Sequence, residues 1–359
     1  MAPVVTALRA HKGFETLVCV SGQHRSMLDQ VLTMFDIHAD VDMNIITPGQ
    51  TLTDITVRVL RGMEMVIRDH KPDLVLVHGD TTTAMAAAMA AFYHQVPVGH
   101  VEAGLRTRDV MRPWPEEMNR CMIDVVGKWL FAPTELSRQA LLDEQIAPER
   151  IVVTGNTVID ALLMATDLLN NNPAQLQSFA EQFAFLDPAK RLILVTGHRR
   201  ESFGDGLRQM CDGLAVLARR GDVQLVYPVH LNQNVQQAVR EALSGLDDIF
   251  LIEPLEYMPF LYLMKRAYIV ITDSGGIQEE APALGKPVLV TRDVTERPEA
   301  VAAGTAKLVG TDPQRIVAEA TALLDSADLY RRVSAIKNPY GDGNAANRIV
   351  ETLASAYSV

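Results

Sequence analysis

The feature that most constrains this chain is a repeated alternation of short apolar runs with longer segments of helical period. Runs rich in Val, Ile and Leu occur at 16–20, 74–77, 98–101, 129–131, 151–153, 192–196, 224–227, 249–252, 269–272, 288–290 and 306–309. Helical patterns lie between them at 25–35, 52–69, 83–94, 135–144, 206–219, 235–243 and 313–324. Strands that are apolar on both faces and separated by helices indicate parallel sheets covered on both sides. The sequence therefore predicts an α/β fold with right-handed crossovers.

The length of the chain predicts two domains, because 359 residues exceed one ordinary core. We place the boundary near Gly155-Asn156, where one strand ends and a helix leads into a polar stretch. Residues 1–156 then form one Rossmann-like, doubly wound domain and 157–343 a second. A final helix at 344–359, after a Gly-rich break, is expected to pack back on the first domain. Two such domains facing across a cleft place a ligand at the carboxyl ends of their strands.

The composition of the chain indicates which kinds of partner it can bind. Hydrophobic residues make up 48% and charged residues 21%, as in a soluble globular protein. A net charge of −11 argues against nucleic acid or an anionic membrane as partner, although an acidic body can still hold a local anion site. Cys19, Cys121 and Cys211 show neither metal-site nor disulfide spacing. With no apolar run of membrane length and no signal-peptide layout, we expect a cytoplasmic protein without a metal.

Three carboxylates in the first half follow predicted strands or begin a helix. Asp80 and Glu102 each lie just after a strand, and Glu116 lies in a Pro-initiated first helical turn. Taken singly, Asp80 is as easily a helix N-cap, and Glu116 is an ordinary partner of the helix dipole. Together at one sheet edge they would raise one another's pKa values, which suits proton transfer near neutral pH.

The second half contains the features of an anion site. His198, Arg199 and Arg200 follow a strand, and Arg and His⁺ are donors suited to phosphate. The segment 273–280 joins strand to helix through Gly-Gly, so a helix N-terminus is open to a diphosphate, and Glu279 or Glu280 could accept ribose hydroxyls. The segment is neither a Walker A loop nor a GxGxxG fingerprint, so a bound NAD is not expected. Arg297 is either a further phosphate partner or a solvated charge.

These stretches together resemble the non-hydrolysing UDP-N-acetylglucosamine 2-epimerases of bacteria. The matching segments, in the family's order over nearly the whole chain, are SGQHRSMLDQVL, VHGDTTT, GHVEAGLRT, PWPEEMNR, TGNTVIDALL, VTGHRRESFG, YPVHLN, TDSGGIQEEAPALGKPVLV, TERPEA and NPYGDG. The resemblance implies a fold like that of two-domain nucleotide-sugar glycosyltransferases and a homodimer. It also implies interconversion of UDP-GlcNAc and UDP-ManNAc for polysaccharide biosynthesis, without a cofactor.

The resemblance also assigns roles. Asp80, Glu102 and Glu116 correspond to the proton-transfer carboxylates, and His198 would stabilise the departing diphosphate. Implied substrate contacts are Arg199, Phe260 at the uracil, Ser274, Gly275 and Gly276 at phosphate, Glu280 at the ribose, and Arg297. Taken alone, Phe260 is as easily a core aromatic. In some members a second UDP-GlcNAc binds beside the active site as an activator, and the residues matching that site are Gln23, His24, Gln50, Arg200 and His230.

One departure from the family is expected to matter. Family members begin with a strand and a Gly-Thr-Arg-Pro-Glu loop before the helix that opens here at Met1-Ala2-Pro3. The first strand of the N-terminal domain is therefore apparently missing, and it would lie centrally in that sheet. We expect the sequence as written to be less stable and less active than a version with those residues restored, in melting temperature and turnover.

Three other functions remain open on the sequence. A two-domain glycosyltransferase shares the fold and the UDP site but needs an acceptor. A hydrolysing epimerase releases free ManNAc and often carries a kinase domain, for which this length has no room. A catalytically silent UDP-sugar-binding protein would bind without turnover, because its N-terminal loop is absent.

Overall fold

A computed structural model describes residues 1–22, 25–45, 47, 49–197 and 205–359, without the side chains of Ser26, Met27 and Asn234. The chain divides into two compact units. The first comprises Met1–Met164 and Tyr340–Val359, and the second comprises Ala165–Pro339. The first unit is thus assembled from two separate stretches of chain.

The first unit is an α/β structure whose strands are short. Its elements are α1 Ala2–Ala10, β1 Cys19–Val20, α2 Arg25–Met34, β2 Val41–Asp42, α3 Leu52–His70, β3 Val75–His78, α4 Thr82–Tyr93, β4 Val98–Val101, α5 Glu116–Val126, β5 Trp129–Ala132, α6 Glu135–Asp143, β6 Ile151–Val153 and the start of α7 Thr157–Asn170. The last helix of the chain, Ala345–Tyr357, also belongs to this unit.

Two parallel sheets make up the first unit. β3, β4, β5 and β6 form a four-stranded sheet in that order, and β1 pairs with β2 in a separate two-stranded sheet. The strand predicted at 16–20 is shorter than expected, because its partner β2 offers only two residues. The sequence analysis missed β2, since Val41–Asp42 carries no apolar run that would mark it.

Helix α4 carries the chain from β3 to β4 and fixes the start of a functional loop. Thr81 is its N-cap, with the side chain accepting from the Ala84 N–H at 3.2 Å. The buried Ala86, Ala88 and Ala91 let α4 lie close to its neighbours in the core. Asp80 therefore immediately precedes the N-cap of a tightly packed helix.

The second unit is a single parallel sheet with helices on both faces. Its elements are the rest of α7, α8 Pro173–Gln182, β7 Arg191–Thr196, α9 Asp205–Ala218, β8 Val223–Pro228, α10 Gln233–Leu243, β9 Ile249–Ile252, α11 Tyr257–Arg266, β10 Ile269–Thr272, α12 Gly275–Ala283, β11 Val288–Val290, α13 Pro298–Ala303, β12 Ala306–Leu308, α14 Pro313–Asp325 and α15 Ala327–Ser334. The strand order is β12-β11-β10-β7-β8-β9, and the last helix of the chain is α16.

The strand order reverses between β7 and β10, which are neighbours in the second sheet. After β7 the chain builds outward through β8 and β9, then returns to place β10 on the other side of β7. The hydroxyls of Thr196 and Thr272, at the carboxyl ends of these two strands, lie 2.6 Å apart. Such a reversal is where doubly wound sheets bind ligands.

Most predicted strands are confirmed within a residue or two, because buried parallel strands are continuous apolar runs. The polar stretch after residue 170 contains a helix that was not predicted, α8, which begins at Pro173. Asn172 caps that helix by accepting from the Gln175 N–H at 3.1 Å. Of the described helices, none is long and apolar enough to cross a membrane.

Helix α16 completes the core of the first unit. Asp160 on α7 accepts from the Ala346 N–H at 2.8 Å, and the Arg348 guanidinium donates to the Thr154 carbonyl at 3.0 Å. The fully buried Ile349 and Leu353 pack in one cluster with residues of β4 and β5. Helix α16 therefore contributes to the packing of the first unit.

Gly104 offers a test of packing behind β4. Its φ is +84°, and a Cβ there would lie 2.3 Å from the Ser137 carbonyl oxygen, a backbone atom that cannot move aside. We expect Gly104→Ala to cost about 3–5 kcal/mol of unfolding free energy in urea denaturation. Gly49, with φ +75° and no described atom within 4 Å of an added Cβ, is the matched control. Gly49→Ala should cost about 1 kcal/mol, and equal costs for the two variants would contradict the packing argument.

Candidate active site

Two carboxylates stand at the carboxyl ends of β3 and β4, which are adjacent strands. Asp80 follows β3 by two residues, and Glu102 directly follows β4. Glu102 has φ +71°, a left-handed conformation that non-glycine residues rarely adopt. Its N–H and that of Ala103 both donate to the Phe131 carbonyl at 3.1 Å, which holds the turn. Strain of this kind concentrates at functional sites.

Asp80 is partly buried and paired with a cation. Its Oδ2 accepts from Arg120 Nη2 at 2.6 Å, and its backbone carbonyl accepts from Asn119 Nδ2 at 2.8 Å. Burial raises the pKa of Asp80, the Arg120 guanidinium lowers it, and the neighbouring Glu102 raises it again. The net rise keeps a proton on Asp80 to higher pH than on an ordinary aspartate.

Glu102 lies between a histidine and an amide. Its Oε2 is 3.6 Å from His78 Nε2, too long for a hydrogen bond, and its Oε1 accepts from Asn156 Nδ2 at 3.3 Å. Burial holds the pKa of His78 well below its usual range, so that the ring is neutral. Asn156 is itself oriented, because its Oδ1 accepts from the Val158 N–H at 3.1 Å.

Two adjacent glutamates at the start of α5 differ in their surroundings. Glu117 is buried and accepts from the backbone N–H groups of Thr107 at 3.0 Å and Arg108 at 2.9 Å. Glu117 therefore holds the loop that precedes α5. Glu116 is half-buried and lies one helical turn before Arg120, on the face of α5 that contacts Asp80.

The second unit presents a helix start at the carboxyl end of β10. Ser274 is the N-cap of α12, and its hydroxyl makes no capping bond to the helix. Its N–H donates to Thr272 Oγ1 at 2.9 Å, and its carbonyl accepts from Gln278 Nε2 at 3.1 Å. Gly276 is exposed, and an added Cβ there would meet no described atom within 4 Å. The first N–H groups of α12 are thus open to an anion.

Glu280 is a buried carboxylate one turn into α12. The Tyr257 hydroxyl, from the start of α11, donates to its Oε1 at 2.9 Å. Burial raises the pKa of Glu280 to about 7, against the smaller opposing effect of the Tyr257 hydroxyl. Glu280 therefore changes its charge near neutral pH.

Arg297 is held beside α12 by ionic and hydrogen-bonding contacts. Its guanidinium pairs with the buried Glu279, and its backbone N–H donates to Thr295 Oγ1 at 3.0 Å. Thr295 in turn donates to Gln278 Oε1 at 2.6 Å. Because Glu279 is committed to Arg297, Glu280 is the better of the two predicted ribose acceptors.

Three further predicted site residues lie on other elements of the two units. Phe260 is half-buried on α11, His230 Nδ1 accepts from the Asn232 N–H at 3.2 Å, and Gln50 Oε1 accepts from the Thr47 N–H at 2.7 Å. The predicted residues that lie outside the described part of the chain are Gln23, His24, His198, Arg199 and Arg200.

Sequence reasoning missed three residues that contact the predicted carboxylates. Arg120 stands at the end of the quoted segment PWPEEMNR, four residues after Glu116, and helical spacing could have found it. Asn156 lies three residues after β6, in a loop at the carboxyl end of a strand, so its position was a usable signal. Tyr257 had no local signal, because its contact with Glu280 is tertiary.

Comparison with known proteins adds an independent observation. The family profile described as UDP-N-acetylglucosamine 2-epimerase matches residues 6–354. The UDP-N-acetylglucosamine 2-epimerase of Yersinia pestis is 56% identical over 354 residues, which cover 98% of this chain and 94% of that protein. The chain belongs to the UDP-N-acetylglucosamine 2-epimerase family. The resemblance stated from the motifs is thereby confirmed.

Solved structures agree with this assignment to the epimerase family. The UDP-GlcNAc 2-epimerase from Neisseria meningitidis, bound to UDP-GlcNAc, has a TM-score of 0.89 and 49% identity, covering 99% of this chain and 96% of that one. A glycosyltransferase from Rickettsia africae has a TM-score of 0.62 at 15% identity, covering 98% of this chain and 93% of that one, which shows a shared fold alone. The predicted α/β fold related to that of glycosyltransferases is confirmed.

The pairing of Asp80 with Arg120 can be tested by substitution. Because the guanidinium opposes the effect of burial, Arg120→Met should raise the pKa of Asp80 further, measured by carboxyl ¹³C NMR titration. Arg138→Met is the control, since Arg138 forms an ion pair at 2.7 Å with Glu135 on the surface of α6. An Asp80 titration unchanged by loss of Arg120 would show that the ion pair does not govern its charge.

Proposed function

We propose that this chain catalyses the reversible C2 epimerisation of UDP-N-acetylglucosamine to UDP-N-acetylmannosamine, by elimination of UDP to a 2-acetamidoglucal and re-addition. The observation that carries the proposal is the placement of Asp80 and Glu102 on adjacent strand ends, close enough for the charge of Glu102 to act on Asp80. Membership of the epimerase family over residues 6–354 supports the substrate.

The chemistry explains why more than one acid–base group is needed. The C2 hydrogen is not adjacent to a carbonyl, so enolisation cannot acidify it. Departure of UDP makes C1 cation-like, the C2 proton is then removed, and a proton returns from the opposite face as UDP re-adds. The reaction therefore requires proton-transfer groups on both faces of the sugar, with stabilisation of charge where the diphosphate departs.

The first unit supplies the proton-transfer groups in this proposal. Asp80, with its raised pKa, and Glu102, beside a neutral His78, hold and move protons at C2 with Glu116. Arg120 keeps the Asp80 side chain in place, and Asn156 does the same for Glu102. No step of this scheme uses a metal ion or cofactor.

The second unit supplies the nucleotide contacts. The start of α12 at Ser274, Gly275 and Gly276 binds phosphate oxygens, and Glu280 accepts the ribose hydroxyls. Arg297 approaches the phosphates from its place beside Glu279. Phe260, His198 and Arg199 complete the proposed set at the uracil and the departing diphosphate.

The proposal extends to assembly, regulation and location. A homodimer is supported by large apolar side chains exposed on α3 and α4, namely Val57, Met65, Phe92 and Tyr93. A second, activating UDP-GlcNAc site with Gln23, His24, Gln50, Arg200 and His230 rests on the resemblance. A cytoplasmic location in polysaccharide biosynthesis fits the free Cys19, Cys121 and Cys211.

Proton NMR of the chain with UDP-GlcNAc in D₂O tests the proposed reaction. We expect deuterium at C2 and formation of UDP-ManNAc without any acceptor. A glycosyltransferase, whose fold the chain shares, would instead consume UDP-GlcNAc only with an acceptor and leave C2 unlabelled. Binding without exchange or product would contradict the proposed reaction and favour a UDP-sugar-binding protein.

The adjacent glutamates of α5 give a paired prediction. Glu116→Gln should lower kcat by about 10²–10⁴-fold, because a proton-transfer group is lost, while thermal unfolding stays close to wild type. Glu117→Gln should instead destabilise the fold by about 1–3 kcal/mol, because the N–H groups of Thr107 and Arg108 lose the buried carboxylate that accepts from them. The reverse pattern, with Glu117 needed for turnover and Glu116 for stability, would contradict the assignment of Glu116 as a proton-transfer group.

The affinity for UDP-GlcNAc should depend on pH through Glu280. If the ionised carboxylate accepts the ribose hydroxyls, affinity should rise about tenfold from pH 6 to pH 8, following the ionised fraction of a group whose pKa is about 7. Calorimetry on the Glu116→Gln background measures binding without turnover. The rise should vanish in Glu280→Gln.

A matched pair of tyrosines on α11 sharpens this test. Tyr257→Phe removes the donor that lowers the pKa of Glu280, so the rise in affinity should move to higher pH. Tyr262→Phe removes a hydroxyl that contacts Arg266 instead, at 3.2 Å, and should leave the profile alone. Identical profiles for both variants would show that Tyr257 does not tune Glu280.

A further inference from the structure

A buried histidine lies in the strand that leads to Glu102. His100 is in the middle of β4 and its side chain is 0% exposed. Its Nδ1 is 2.6 Å from Asp124 Oδ1 on α5, and its Nε2 is 2.9 Å from the Gly79 carbonyl oxygen. Both ring nitrogens are thus within hydrogen-bond distance of an oxygen.

The partners of the ring also hold one another in place. The Gly79 carbonyl can only accept, so Nε2 donates to it. Asp124 Oδ2 contacts Arg106 Nη1 at 2.8 Å and the Gly104 N–H at 3.2 Å, so that carboxylate is surrounded by donors. Burial alone would raise the pKa of Asp124, but its contacts with His100 and Arg106 outweigh burial and leave it lowered.

The charged groups around this pair are also paired. Asp124 on α5 is in direct contact with the ring, and Arg106, in the loop after β4, lies on the far side of Asp124 and also pairs with Glu144 at 2.7 Å. His78 on β3 is neutral, because burial holds its pKa well below the usual range.

The contacts join the two loops that carry the proposed proton-transfer groups. Gly79 immediately precedes Asp80, and Gly104 lies two residues after Glu102. A continuous series of hydrogen bonds runs from Gly79 through His100 and Asp124 to Gly104. A shift of either loop would break a charge-assisted bond in a site without water access, which is costly.

We propose that His100 is a positioning residue of the epimerisation, which with Asp124 fixes the Asp80 loop relative to the Glu102 loop. This inference rests on the proposed function for the meaning of that placement. It does not make His100 a catalytic residue, since the ring contacts a backbone carbonyl and a structural carboxylate.

The positioning role is tested by kinetics. A glutamine can donate to only one of the two acceptors, so His100→Gln should lower kcat on the order of 10²-fold, as loss of about 1 Å precision does, with KM for UDP-GlcNAc changed less than about twofold. The matched control is Asp160→Asn, which weakens another buried contact of the first unit, to the Ala346 N–H at 2.8 Å. If Asp160→Asn lowers the melting temperature as much as His100→Gln does, it should still keep the wild-type kcat.

The outcomes separate this proposal from the function on which it rests. A fall in kcat with unchanged KM for His100→Gln, absent in the control, supports the positioning role. Equal losses of kcat in both variants, or a raised KM with normal kcat, would overturn it. If the wild type shows no exchange at C2, the proposed reaction itself fails, whatever the effect of His100→Gln on stability.

Discussion

Parallel pairing of strands is the constraint on which the rest of this structure depends. Every strand pairing in the described chain is parallel, so within each sheet the crossovers return the chain to the same edge and the carboxyl ends of its strands meet there. The edge of the four-stranded sheet of the first unit carries Asp80, Glu102 and Asn156 on the loops after β3, β4 and β6. The edge of the second unit's sheet carries Gly197 and Ser274 at the reversal of strand order. The helices that follow these loops bury the sheets, and α5 and α12 also carry Glu116 and Glu280 near their starts.

The buried carboxylates of this chain have two kinds of partner. Asp80 and Glu117 both contact Arg120, Asp124 contacts Arg106, and Glu279 contacts Arg297, so these carboxylates are paired with cations. Glu280 accepts instead from the neutral Tyr257 hydroxyl, and its pKa rises to about 7. Paired carboxylates keep a fixed geometry, whereas an unpaired buried one responds to pH.

The sequence predicted the strands and the carboxylates at their ends, because continuous apolar runs mark buried strands and position in the chain then marks the loops. It could not predict Tyr257 beside Glu280 or Asp124 beside His100, since those contacts join segments distant in the sequence. The strand β2 was missed for a different reason. Two residues held by pairing with β1 leave no periodic pattern to detect. Local sequence patterns therefore predicted the strands and the loops at their ends. The partners of each charged group depend on tertiary packing, which those patterns do not show.

The return of α16 to the first unit has a consequence for how this protein is made. The second unit is one continuous stretch, Ala165–Pro339, and all of it has been synthesised before the ribosome reaches Tyr340. The first unit, although most of its residues emerge earlier, lacks Ile349 and Leu353 from its core until those residues have also been synthesised. The order in which the units can be completed is therefore the reverse of the order in which they begin. A nascent chain released early would contain a finished second unit attached to an unsealed first one, with the apolar face that α16 covers still open to chaperones or to other chains.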